Sequence, residues 1–309
     1  MISILLASYN GEKYIAQQIE SILTQTEQNF IIYVNDDCSS DSTYEIEKKY
    51  EAMYPDKIKV TRNKKNSGNA KYNFINMMIE HKDDYVMLCD QDDVWLPNKI
   101  EITLKKMKSM ERRFGKEKPA LVHTDLVVVD EKLNVISKSF KKMMNADYGK
   151  IRINNEIVQN TLTGCTVMYN KALAEYIKNT PKYMVMHDWW LMLIASAFGN
   201  IGIVNYQTVL YRQHGKNVVG TRNMSSYKFM LLMFLEKGNY IRNALKESYI
   251  QAGSFYCMYG KMLNCESKNV VFMYSRMISM CKFKKIITLF KLNTFKNGLF
   301  RKIAQIIYA

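Results

Sequence analysis

One regularity constrains the fold more than any other. Through the first third of the chain, short apolar runs alternate with longer stretches of helical spacing. MISILLAS, NFIIYVND, DKIKVTRN and DYVMLCD are of strand length and bounded by polar residues. Between them, YNGEKYIAQQIESILTQT places Tyr14, Ile15, Gln18, Ile19, Ile22 and Leu23 near helical spacing. SSDSTYEIEKKYEAMY opens on Ser and Asp, whose side chains cap a helix by accepting its unpaired first N–H groups. NAKYNFINMMIEH and LPNKIEITLKKMKSMERRF continue the pattern, the second with Pro97 in a first helical turn, where a missing N–H is tolerated. Strands alternating with helices this regularly run parallel, with helices over both faces of the sheet. The expected class is α/β, a Rossmann-like, mostly parallel sheet flanked by helices.

Beyond Lys118 the rhythm changes. ALVHTDLVVVD is expected as a strand, with KLNVISKSF as a hairpin or edge neighbour. TLTGCTVMYN reads as a strand followed by the helix KALAEYIKN, and HDWWLMLIASAFG as a helix stopped by Gly199 in the manner of a glycine cap. NIGIVNYQTVLYRQH closes this part in strand. Past Thr221 the chain reads as amphipathic helices, which divides it into a catalytic domain over 1–221 and a smaller helical, basic region over 222–309. No apolar run is long enough to span a bilayer, and MISILLASYN lacks a basic leader, so neither a spanning helix nor a signal peptide is expected. Six cysteines without a C-x-x-C pair suit reduced thiols in a cytoplasm better than zinc or a disulfide framework.

In an open parallel sheet, ligands bind at the carboxyl ends of the strands. Three strands here end in polar, chemistry-capable residues: ASYNGE from Ala7, NDDCSSD with Asp36, Asp37 and Asp41, and DQDD with Asp90, Asp92 and Asp93. Carboxylates crowded at neighbouring strand tips repel one another unless a cation is expected. Hard oxygen ligands without clustered His or Cys select Mg²⁺ or Mn²⁺ over zinc. Such an ion usually bridges substrate phosphates, which fits a nucleoside diphosphate leaving group.

The order and spacing of SYNGEKYIAQQIESILTQT, VNDDCSSDST, NSGNAKYN and DQDDVW resemble glycosyltransferase family 2, with its GT-A fold, over roughly Met1 to Thr221. HDWW and YRQHGKNVVG are most similar to the bacterial rhamnosyltransferase branch, which builds cell-wall or capsular polysaccharide. The resemblance implies nucleotide contacts at Ala7, Ser8, Tyr9 and Glu12, base or ribose contacts at Asp36 and Asp37, and a pocket lined by the NSG stretch (Gly68) with Lys71 and Asn73. It implies donor contacts at Asp90, Gln91 and Asp92, with Asp92 and Asp93 nearest ribose and metal. The family's usual glycine after the second acidic pair is Cys38 here, which puts the loop geometry at that point in question.

An inverting transfer needs one general base for the acceptor hydroxyl. Asp188, at the start of an expected helix, occupies the family's kind of position for it, with His187 as a neighbour that shapes the site. Trp189 and Trp190 are candidate platforms for a sugar face, and the turn Thr163-Gly164-Cys165 a place for close approach of the acceptor. In YRQHGKNVVG, Arg212 is expected to pair with a phosphate oxygen and His214 to ligate metal or phosphate, with Lys216 beside them.

The net charge of +15 is uneven, and from Cys281 to Ala309 there is no Asp or Glu. A basic, apolar tail suits a helix lying on the inner leaflet of the membrane, where a lipid-linked acceptor is met; contact with a second subunit, as in a homodimer, is the other use of such a face. A basic nucleic-acid-binding protein is the non-enzyme alternative that the charge allows, but nucleic acid is not expected as a partner, because acidic strand ends repel phosphate without a metal. A nucleotidyltransferase would want a glycine-rich basic loop after the first strand, where this chain has ASYNGEKY. The expectation is a cytoplasmic, peripheral-membrane inverting glycosyltransferase using Mn²⁺ or Mg²⁺. Its donor is dTDP-rhamnose or, alternatively, a UDP-sugar, and its acceptor a polysaccharide or lipid-linked glycan.

Overall fold

The computed structural model describes residues 1–144, 151–214 and 238–309. Lys216 and the expected boundary at Thr221 lie outside them. The strands are β1 (Ile2–Ser8), β2 (Phe30–Asp36), β3 (Ile58–Arg62), β4 (Tyr85–Asp90), β5 (Val94–Trp95), β6 (Ala120–Val129), β7 (Val135–Ser137), β8 (Val167–Asn170) and β9 (Asn200–Arg212). The helices are α1 (Ile15–Leu23), α2 (Thr43–Met53), α3 (Ala70–Glu80), α4 (Lys99–Phe114), α5 (Phe140–Met144), α6 (Ile153–Glu156), α7 (Lys171–Ala174), α8 (His187–Phe198), α9 (Gly238–Tyr259), α10 (Cys265–Arg276), α11 (Lys282–Leu292) and α12 (Leu299–Tyr308).

The chain divides into two compact units, each discontinuous in sequence. The first comprises Met1–Phe140, Leu162–Thr180 and Gly199–Thr221; the second comprises Lys141–Thr161, Pro181–Phe198 and Arg222–Ala309. The helix that bears Asp188 therefore counts with the second unit, although it lies inside the stretch the sequence assigns to one catalytic domain.

In the first unit one sheet runs in the order β3-β2-β1-β4-β8-β6-β9-β5, with β7 paired to β6. The β-α alternation delivers what it must: β1 pairs in parallel with β2 and β4, and β2 with β3. Every residue of β1 is buried, as a central strand with both faces covered requires. Helix α1 packs Ile15, Ile19 and Ile22 inward, and α4 packs Ile100, Leu104, Met107 and Met110, each at helical spacing. Gly115 ends α4 with φ of +96°, a conformation that disfavours any side chain.

The later half of the sheet is less parallel than the alternation implies. β8 runs antiparallel to both β4 and β6, β5 is antiparallel to β9, and only β6 and β9 pair in parallel. β7 forms the expected hairpin with β6. The TLTGCTVMYN strand shrinks to β8 because Gly164–Thr166 is a 3₁₀ turn. Pro97 lies in the loop ahead of α4, where its carbonyl accepts from the Thr26 N–H at 2.8 Å. Gly199 is not in the left-handed region; glycine is required there because a Cβ would run into the Pro119 carbonyl.

In the second unit α8 is buried along most of its length, and Trp190 packs against Phe255 and Tyr259 of α9. Helices α9 and α10 join through the T-shaped, edge-on contact of Tyr249 with Tyr274.

Candidate active site

Register brings the three polar strand ends together. Ser8 lies opposite Asp36, and Ala7 lies between Asn35 on one side and Asp90 on the other. Neighbouring parallel strands are about 4.8 Å apart, so these ends share one edge of the sheet. The Gln91 side chain ties two of them: its Oε1 accepts from the Tyr9 N–H at 2.8 Å and its Nε2 donates to the Tyr9 carbonyl at 3.0 Å. Gly11 lies against the same amide, which a Cβ would displace. Tyr9 itself is 49% exposed, held by its backbone with the ring left outside.

The acidic pair after β2 builds the loop. Asp36 is fully buried; its carboxylate accepts from the Ser39 N–H and forms an ion pair with Arg62 Nε at 2.9 Å. Asp37 accepts from the Ser67 N–H at 2.8 Å, from Ser67 Oγ at 2.6 Å and from Asn63 Nδ2 at 2.7 Å. It thereby pins the NSG stretch, where Gly68 has φ of +80°. The expectation that Asp36 turns to a base or ribose is corrected: a carboxylate buried in an ion pair and a backbone bond has no oxygen facing a ligand. Cys38 takes φ of +63° and donates from Sγ to the Asn63 carbonyl at 2.9 Å, so the loop keeps the left-handed geometry that glycine would supply. Glu12 is exposed, and its carboxylate accepts from the Ser42 N–H at 3.0 Å. Asn73 is buried and donates to the Asn35 carbonyl at 3.0 Å, bracing β2 from below. Lys71 stands in the first turn of α3, with Nζ over the Tyr72 ring.

Strand β5 draws the other motif in. Val94 pairs with Leu210 and Trp95 with Val209, which sets DQDD beside YRQH. His214 Nε2 lies 2.6 Å from Asp92 Oδ2, and its ring stacks on Tyr14. Arg212 is buried: Nε donates to the Asp92 carbonyl, Nη1 to the Glu131 carbonyl and Nη2 to Gln17 Oε1, with the guanidinium over Tyr14. The expected phosphate arm is corrected to an internal clamp, since its planar fork is spent on three protein acceptors. The Arg212 N–H also donates to Asp93 Oδ1 at 3.1 Å.

Asp93 is wholly buried, and its carboxyl is pushed well up by burial and then by repulsion from Asp92 and Asp90. Ligand atoms of Asp90, Asp93 and Cys165 lie within 4.8 Å of one another. Burial pushes the Cys165 thiol up as well, which keeps it protonated; it faces this cluster and is no acceptor contact. Two hard carboxylates here and a third in the Asp92–His214 pair suit a divalent cation; a protonated thiol does not join them. The grouping differs from the expected Asp92, Asp93 and His214 set. Asp90 is the partner of Asp93, while Asp92 goes with His214.

Lys99 escapes sequence reasoning. It is fully buried at the start of α4, with Nζ 4.6 Å from the Trp95 ring centroid, and burial pulls its pKa down to about 8. The only hint in the sequence is a lysine six residues after the acidic run, at a position where α4 turns its apolar stripe inward. Tyr14, read from spacing as one more apolar helix residue, is the ring shared by Arg212 and His214.

The second unit holds His187, Asp188, Trp189 and Trp190. Asp188 is in the first turn of α8, 9% exposed, and its Oδ1 accepts from the Trp189 N–H at 2.7 Å. Trp189 Nε1 donates to the Glu156 carbonyl at 2.6 Å. Trp190 is 0% exposed and belongs to the aromatic core with Phe255, so its expected sugar contact is corrected. His187 is buried, and burial pulls it down to about 3, which keeps it neutral. Thr163 and Gly164 open the 3₁₀ turn of the first unit, the Thr163 carbonyl accepting from the Thr166 N–H.

Residues 3–114 match the family model described as glycosyl transferase family 2. That stretch contains the strand ends of β1, β2 and β4 together with α1 to α4. That stretch is a family 2 glycosyltransferase domain. The enzyme is similar to the dTDP-rhamnosyl transferase RfbG of Shigella flexneri, 25% identical over 78% of this chain and 82% of that one. It is also similar to the Escherichia coli UDP-Glc:alpha-D-GlcNAc-diphosphoundecaprenol beta-1,3-glucosyltransferase WfgD, 26% identical over 81% of this chain and 90% of that one. Among solved structures it resembles the mannosyltransferase PcManGT of Pyrobaculum calidifontis, in complex with GDP-Man and Mn²⁺, with a TM-score of 0.53, 11% identity, and 99% of this chain and 84% of that one covered. The fold is of the GT-A type, and the protein is a glycosyltransferase.

Proposed function

We propose that the enzyme moves a sugar from a nucleoside diphosphate donor to a hydroxyl of a polysaccharide or lipid-linked glycan, with inversion at the sugar carbon, at the cytoplasmic face of the membrane. The observation that carries this reading is the register that sets Ser8 beside Asp36 and Ala7 beside Asp90, with the Asp92–His214 pair joined to the same edge through β5. The exposed Tyr9 and Gly68 and the half-buried Lys71 are the donor contacts on this reading. Asp36, Asp37, Glu12, Asn73 and Gln91 shape the loops that present them.

A divalent cation, Mn²⁺ or Mg²⁺, would be held by oxygens of Asp90, Asp92 and Asp93, with His214 orienting Asp92 or joining the set. When bound, such an ion supplies positive charge against the diphosphate as its negative charge grows on departure. Asp188 takes the acceptor proton; a carboxylate in the first turn of a helix is held ionised by the N–H groups around it. Trp189, Thr163 and Gly164 remain the candidate acceptor contacts.

The favoured donor is dTDP-rhamnose, supported by the RfbG likeness. A UDP-sugar is the second reading, supported by the WfgD likeness at nearly equal identity. Hydrolysis of a panel of nucleotide sugars with Mn²⁺ or Mg²⁺, and again with EDTA, tests both. Release of dTDP from dTDP-rhamnose alone, lost in EDTA, is the expected result. Release of UDP alone moves the assignment to the second reading, and undiminished turnover in EDTA sinks the cation.

A further inference from the structure

We propose that the outward faces of α11 and α12 form a docking surface for an anionic lipid bilayer. This deepens the reading of a membrane-side acceptor but stands on different residues. Helix α11 buries Thr288, Leu289 and Leu292 and turns Phe283, Ile287 and Phe290 outward, the two phenylalanines 73% and 63% exposed. Those three positions recur at spacings of four and three, so they form one stripe. Leu299, Ile303 and Ile307 make a second exposed stripe on α12, with Leu299 at 69%. Isolated exposed apolar side chains are ordinary; two helical stripes of them are not.

The stripes are held in place from behind. The Asn154 side chain donates to the Leu292 carbonyl at 2.7 Å, and Arg301 donates to the Met144 carbonyl at 3.0 Å. Gln305, fully buried, accepts from the Lys296 N–H and donates to the Thr294 carbonyl, which locks α12 onto the segment that leads into it. Their inner faces are spent inside the unit, and among the described residues the outward side chains stand clear of its core, with Phe290 meeting the edge of Phe295.

Charge decides the occupant. From Cys281 to Ala309 there are seven Lys and Arg and no carboxylate side chain. Lys284 and Lys291 flank the α11 stripe on one side, in the position from which a lysine reaches lipid phosphates while its methylenes stay with the apolar face. A symmetric contact between two copies would set this all-cationic segment against itself. An anionic leaflet pairs with the exposed Lys282, Lys284, Lys291 and Lys302.

The test is sedimentation of the full chain with vesicles of phosphatidylcholine alone and of phosphatidylcholine mixed with phosphatidylglycerol. The protein is expected in the pellet with the mixed vesicles only, and to return to the supernatant in high salt. The variants Phe283→Ser/Phe290→Ser and Leu299→Ser/Ile303→Ser should each weaken partitioning by roughly tenfold or more. Because these side chains are exposed, circular dichroism and the thermal midpoint should not change, nor should nucleotide-sugar hydrolysis in the absence of vesicles. Equal partitioning of the variants, or equal pelleting with both vesicle types, would overturn the proposal. So would a concentration-dependent dimer dispersed by the same substitutions, which would give the face to a second copy. Loss of hydrolysis in the unsubstituted protein bears on the transferase reading and leaves the pelleting result intact.

Discussion

Asp188 has one oxygen committed to the Trp189 N–H, and that oxygen stays an acceptor if the carboxylate becomes an amide. Asp188→Asn therefore keeps the shape and the local bond while removing the basicity. Transfer is expected to fall by about 10²–10⁴-fold. Nucleotide affinity measured by calorimetry should stay unchanged, and its loss would reassign the residue to the donor site or to folding. Cys38 poses a different question. Its φ of +63° places an L residue in a region that costs about 1–2 kcal/mol for side chains with a Cβ. Cys38→Ala and Cys38→Gly both remove the Sγ bond to Asn63, so the difference between them isolates the backbone. The glycine variant should be the more stable by about 1 kcal/mol in denaturant melts, after allowing for its freer unfolded chain. An alanine variant of equal stability would show that the loop relaxes.

At the scale of elements, periodicity made β1, β2, β3, β4 and α1 to α4 readable, because buried strands and one-sided helices leave different spacings in the chain. β5 left no such trace: two residues, Val94 and Trp95, carry no period, yet their pairing with β9 is what joins Asp92 to His214. β8 is four residues long, and nothing in VMYN fixes its antiparallel direction. The carboxylates divide in the same way. Asp is common at strand ends both as a ligand and as a loop builder, so the sequence could place Asp36 and Asp37 at the right edge without saying that they face inward. Glu47 was hidden for a related reason, since it sits among the polar residues of α2 and looks like a solvated helix position. It is buried, and burial, then repulsion from Asp36 and Asp41, pushes its carboxyl from 4.5 up to about 8. Between those two values the folded chain keeps a proton that the unfolded chain has shed. Stability from this group is thus full below the lower value and is lost as pH rises to the upper one. Glu47→Gln cannot titrate. Its thermal midpoint, relative to the unsubstituted protein, should rise steadily from about pH 5 to about pH 8. A constant difference across that range would mean that Glu47 finds water or a counter-charge.

For the whole molecule the net charge is +15 and the tail has no acids, yet Asp90, Asp92 and Asp93 gather at the strand tips of the first unit. That contrast has a thermodynamic consequence. Asp92 and Asp90 raise the cost of ionising Asp93, and only the folded chain gathers the three. A cation with a nucleoside diphosphate that binds the gathered set, and not the unfolded chain, stabilises the fold by mass action, by about 2.7 kcal/mol at one hundred times the dissociation constant. The thermal midpoint should therefore climb with dTDP or UDP in the presence of Mn²⁺, and the climb should shrink in EDTA. Asp92→Asn should reduce it too, since that change removes charge from the oxygen nearest His214 while leaving the Arg212 contact, which is to the Asp92 carbonyl, in place. The nucleotide that gives the larger shift reads the donor class without any acceptor in the tube. A midpoint indifferent to both nucleotides, with and without the ion, would remove the strand tips from the donor's path.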